Sequence, residues 1–175
     1  MIMPMGQQLL LPARPLFIWS SLLFAMLLNF VLSSALGRAA WVPDILLITL
    51  TFWVVHQPLR IGIGVEFLFG LCMDVQQTAL LGQHAWSYTV MAFGAIAIHR
   101  RLLWFSVPSQ ALQVFPLLLA AHALQLVVRM ATGGAFPGVW MVLAPVLEAV
   151  LWPIVSILLL APQRRAPDPD ANRPL

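Results

Sequence analysis

Residues 16–36 read LFIWSSLLFAMLLNFVLSSAL, 21 positions without a charge. At about 1.5 Å of rise per residue, a helix of this run covers about 30 Å, the thickness of a bilayer's hydrocarbon core. Backbone polar groups in lipid must be satisfied within the chain, and a helix does this segment by segment. Arg14 before the run and Ser33-Ser34-Ala35 near its end imitate a cleavable secretory leader. The run exceeds the usual leader core of about 7–15 residues, and more apolar segments follow it. An uncleaved first membrane helix is therefore expected.

Five further apolar segments follow, at about 43–57, 61–75, 84–98, 108–128 and 139–161. The second, third and fourth are short for independent spans, which predicts tilting in a thin region or partial re-entry behind neighbouring helices. Gln57-Pro58-Leu59-Arg60 predicts a tight turn, because Pro58 fixes its own φ and disfavours helix at Gln57. Thr132 to Gly138 reads as a flexible connector, and Asp44 marks a helix start. The polar, Pro-rich stretch 162–175 predicts a disordered tail. The expectation is one all-α integral membrane domain, residues 1–161, built as a bundle of six transmembrane helices.

Charge supports that count. Only 9% of residues are charged and 61% are hydrophobic, against about 25% charged in a soluble domain. All nine basic side chains are arginines. With six spans, Arg14, Arg60, Arg100, Arg101, Arg164, Arg165 and Arg173 fall on one side, and Arg38 and Arg129 on the other. The positive-inside rule then places both termini in the cytoplasm. The basic excess thus speaks for topology and anionic lipid contact, with no nucleic acid implied. The single cysteine, Cys72, excludes an intramolecular disulfide and reads as a small buried hydrophobe.

Catalytic motifs are wanting. Without lysine there is no phosphate-binding Gly-rich loop ending in Lys-Ser or Lys-Thr. His56, His84, His99 and His122 are scattered over different segments, which argues against a metal site. Gly70-Leu71-Cys72-Met73-Asp74 lacks the Gly-x-Gly-Asp spacing of an intramembrane aspartyl protease. The expectation is no enzyme, no catalytic residue, no cofactor and no metal.

Three polar constellations remain. Gly62, Glu66, Gly70 and Asp74 are spaced four apart on the third segment, a stripe suited either to tight helix packing or to a functional site. His122, Gln125 and Arg129 share a face of the fifth segment, where Arg129 reads as an interface anchor. A sharper expectation pairs Asp74 with Arg129 or Arg38 across the bundle. In the sixth segment, Pro145 and Pro153 bracket Glu148 in PVLEAVLWP. Pro153 removes a backbone donor and predicts a kink near Ala149, with Glu148 as a polar stabiliser or a partner contact.

These segments in this order resemble the bacterial rod-shape-determining MreD family. VPDILLITLTFWVVHQPLRIGIG is similar to the family's second helix, FLFGLCMDVQQTALLGQHA to its middle signature, and VLWPIVSILLL to its last helix. Pro43 and Pro58 match the prolines flanking the second helix. Gly70, Asp74 and Gly82 match the middle signature, and Trp152 and Pro153 the final one. Glu66 and Glu148 depart from the family pattern. The resemblance implies a fold like the substrate-binding S components of energy-coupling-factor vitamin transporters. It also implies a non-enzymatic scaffold in the bacterial inner membrane that positions MreC within the elongasome. MreB, RodA and a class B penicillin-binding transpeptidase are the implied members of the larger complex. The rival reading is a small-molecule-binding subunit of a transporter, which predicts a polar cavity where the scaffold predicts a packed interior.

Overall fold

The computed structural model describes residues 13–37 and 39–163. Six α-helices follow in chain order: α1 (Pro15–Ala35), α2 (Ile45–His56), α3 (Ile63–Gln77), α4 (Gln83–Leu102), α5 (Val107–Ala131) and α6 (Leu143–Leu160). A 3₁₀ turn, Val139–Val142, leads into α6, and another, Ala161–Gln163, follows it. The expected tail therefore begins in ordered backbone at 162–163, and its remainder, like residues 1–12 and Arg38, lies outside the described residues.

Helix α2 is the axle. Leu46 through Val55 are all buried, and the helix packs against α1, α4 and α6. A helix apolar all round has no preferred face, so other helices can surround it on every side. The outer helices show the matching stripes. Helix α1 buries Ile18, Leu22, Ala25 and Asn29, and α5 buries Gln110, Val114, Leu118 and Ala121. Their opposite faces carry exposed Phe24, Leu27, Phe30, Leu112 and Val127, as expected where lipid is the solvent.

Three stretches are long and apolar enough to cross a membrane: Pro15–Ala35, Val107–Ala131 and Val139–Gln163. Helix α2, at 12 residues, spans only about 18 Å. Helix α4 is longer than sequence patterning predicts, running on through His99, Arg100 and Arg101. Those residues stand in its last turn, where cations complement the partial negative charge of the helix end. Helix α6 continues through Pro153 and α5 through Pro116.

At one end of the bundle aromatic packing dominates. Phe52 meets Trp53 at 5.1 Å, Trp152 at 6.4 Å and His56 at 4.0 Å between ring centroids. There Pro58 sits in the predicted turn, closed by Arg60 and Ile61 N–H groups donating to the Gln57 carbonyl. The Arg60 guanidinium also donates to the Ala13 carbonyl at 2.7 Å. Cys72 is exposed. The expectation of burial fails because it lies on the face of α3 turned away from Gly70 and Met73.

Candidate functional site

The other end of the bundle collects the polar groups. It is formed by the C-terminal ends of α1, α3 and α5 and the N-terminal ends of α2, α4 and α6. Asp44 is its centre. It caps α2 by accepting from the Leu47 N–H at 3.0 Å, satisfying a donor that the helix itself leaves free. Asn29 of α1 donates to Asp44 Oδ1 at 2.6 Å and accepts from the Ile45 N–H at 2.9 Å. The Tyr88 hydroxyl of α4 donates to Asp44 Oδ2. The Asp44 N–H donates to Glu148 Oε1 of α6 at 2.8 Å, and His122 Nε2 of α5 pairs with the same oxygen at 2.8 Å. One connected network thus joins α1, α2, α4, α5 and α6.

Asp74 anchors a second network. Glycine at position 82 gives α4 no capping side chain, so the carboxylate of α3 supplies the cap. Asp74 accepts from the N–H groups of Gly82 at 2.7 Å, His84 at 2.7 Å and Ala85 at 3.4 Å, and from His84 Nδ1 at 2.8 Å. A negative charge at a helix N-terminus is favourable because the unpaired N–H groups there carry partial positive charge. Gly82 holds the left-handed conformation, φ 105°, that aims its N–H at the carboxylate. Gly70 permits the close approach: a Cβ on it would lie 2.5 Å from the Ala85 Cα.

Between these networks lies a cavity of about 470 Å³. Asn29, Asp44 and His122 form part of its wall, together with Gln77, Gln83, His84 and Gln125. Trp41, Arg129 and Trp140 also line it, and all three are exposed. Arg129 is positioned by the end of α5. Gly133 takes φ 81°, the Gly134 N–H donates to the Arg129 carbonyl at 2.9 Å, and the Gly133 N–H donates to Met130 at 3.1 Å. That is the Schellman pattern of helix termination.

The structure redistributes the sequence expectations. Asp74 does not pair with Arg129; its partners come from the first turn of α4, and Arg38 lies outside the described residues. The stripe 62–66–70–74 divides. Gly70 is a true close contact, but Gly62 is the N-cap of α3, where a Cβ would meet only ordinary contact at 3.8 Å. Glu66 is buried with no hydrogen-bond partner for either carboxylate oxygen among the described groups. Glu148 pairs with His122, so two of the three constellations share one network. Gln125 turns to Ser87, donating at 2.9 Å. Pro43 precedes the Asp44 cap and lines the cavity. Trp152 is buried at the far end, with Nε1 3.4 Å from Gln110 Oε1. Asn29 and Tyr88 are the residues sequence reasoning missed. A lone amide in an apolar run and the only tyrosine of the chain were the available signals.

Among the described residues no group of three or more His, Cys, Asp or Glu side chains is placed to hold a metal ion. Each carboxylate in the networks is engaged in holding helices together. The arrangement defines a helical membrane protein whose polar groups serve its own architecture around a hollow at one end. The family model for the rod shape-determining protein MreD matches residues 13–161, so the chain belongs to the MreD family. The rod shape-determining protein MreD of Haemophilus influenzae is 28% identical over 153 residues, covering 81% of this chain and 92% of that protein. No solved structure matches.

Proposed function

We propose that this protein is a non-enzymatic scaffold of the machinery that elongates rod-shaped cells, binding and positioning MreC in support of lateral peptidoglycan synthesis. The observation that carries the reading is family membership over residues 13–161. The internal use of Asp44, Asp74, Glu148 and His122 agrees with it, because these groups are spent on packing instead of chemistry. In this reading the chain is a multi-pass protein of the inner membrane with both termini cytoplasmic. The cavity end then faces outward, and MreB, RodA and a class B transpeptidase join through the larger complex. The signature residues Pro43, Pro58, Gly70, Asp74, Gly82, Trp152 and Pro153 shape the bundle that presents the partner face.

The rival reading, a solute-binding subunit of a transporter, draws support from the polar cavity of about 470 Å³. Recovery of the full-length chain from native membranes in mild detergent separates the two. MreC is expected among the co-purified proteins. Recovery of ATPase subunits without MreC would overturn the scaffold.

A further inference from the structure

The cavity has an uneven chemistry. Its one lining carboxylate, Asp44, is already committed: Oδ1 to Asn29 and the Leu47 N–H, Oδ2 to the Tyr88 hydroxyl. His122 spends Nε2 on Glu148 and keeps Nδ1, while His84 spends Nδ1 on Asp74 and keeps Nε2. Gln125 uses one amide hydrogen on Ser87 and keeps another. Arg129 lines the same space, exposed, and forms no ion pair with any described carboxylate. Trp41 and Trp140 add flat, exposed apolar faces.

A hollow of this size suits a small ligand, and a few convergent polar groups on its wall set which one. Here the uncommitted groups comprise one guanidinium, one amide hydrogen of Gln125, and a second ring nitrogen on each of His84 and His122, an acceptor whenever the imidazole N–H is given to its carboxylate. The one lining carboxylate already accepts from Asn29, the Leu47 N–H and Tyr88. A guanidinium matches the planar or tetrahedral oxygens of carboxylate and phosphate, often with two parallel hydrogen bonds. Indole faces pack against the apolar or ring portion of a polar molecule.

We propose that this cavity binds a small molecule or headgroup bearing a phosphate or carboxylate, with the anion on Arg129 and the hydroxyl-bearing remainder against Gln125, His122 and His84. The Schellman turn at Gly133 and Gly134 holds the Arg129 backbone in place, so the cation is presented before a ligand arrives. Binding needs neither MreC nor a transport module, so it holds with the scaffold, and a solute-binding subunit would use the same cavity.

The test uses the full-length protein in nanodiscs of phosphatidylcholine with two probes. Phosphatidylglycerol doped into the disc, read by native mass spectrometry, reports a lipid source. Glycerol 3-phosphate in solution, read by calorimetry, reports a soluble one. Saturable binding of at least one probe is expected, weakened about tenfold in Arg129→Gln, the loss of one charge-assisted contact. Ala40→Trp, which adds bulk from the cavity wall, is expected to abolish binding. Because Arg129 is exposed, its replacement leaves the fold intact, and thermal melting of both variants verifies this. Binding of neither probe, or equal binding by Arg129→Gln and the parent, overturns the proposal. So does retention of the choline lipid in preference to phosphatidylglycerol, because both carry the phosphate and only glycerol offers hydroxyls to Gln125, His122 and His84.

Discussion

Asp74 accepts from three backbone N–H groups and one imidazole at the start of α4, with the nearest of them at 2.7 Å. Hydrogen bonds to a charged acceptor contribute about 1.5–3 kcal/mol each, but a shared carboxylate does not sum them. Asp74→Asn is therefore expected to destabilise the protein by about 2–3 kcal/mol, measured by unfolding in detergent. Combined with Arg129→Ala, the effect should be additive within about 0.5 kcal/mol, because the two side chains do not meet. A larger coupling would restore the cross-bundle pair. Glu66 makes the opposite case. Its carboxylate is buried without a partner, and a buried polar group in that state costs about 1–3 kcal/mol. Glu66→Leu should raise stability by a similar amount; a loss on unfolding would show that the acid has an unseen partner. The importance of Asp74 was legible in its placement at a helix end. Its partner was not, because charge alone suggested an arginine while the nearer donors were backbone groups eight to eleven residues on.

At the scale of elements, Gly70 decides how α3 and α4 meet. A methyl there would sit 2.5 Å from the Ala85 Cα and 2.7 Å from its nitrogen, both backbone atoms with little freedom to yield. Gly70→Ala is expected to cost about 1–3 kcal/mol through overpacking. It should also lower the hydrogen-exchange protection of the His84 and Ala85 amides, since the same displacement draws Asp74 away from them. Six helices were readable from their apolar runs, together with the Pro58 turn. The length of α4 was hidden by Arg100 and Arg101, which suit the end of a helix but interrupt an apolar pattern. The burial of α2 was hidden too. Twelve residues without an amphipathic face look like a poor span, and only the surrounding helices turn that defect into a core.

Across the whole molecule, cohesion is divided between two ends. Aromatic rings pack one, while the network of Asn29, Asp44, Tyr88, His122 and Glu148 ties the other. Asn29→Leu and Tyr88→Phe each strip a donor from the same buried carboxylate and should each cost about 1–3 kcal/mol. Because Asp44 is common to both, the double variant should depart from additivity by about 0.5–3 kcal/mol. Independent effects would mean that the network is a set of separate bonds. No pattern along the chain showed that residues 29, 44, 88 and 148 converge, for it depends on which helices become neighbours. The short α2 has one more consequence. It starts at Ile45, and the segment before it lines the hollow together with the ends of longer helices. The cavity is thus the headroom left above an axle too short for its housing. Its depth is set by where one helix begins, so a change in the 39–44 segment can resize the chamber while the lipid-facing shell stays as it is.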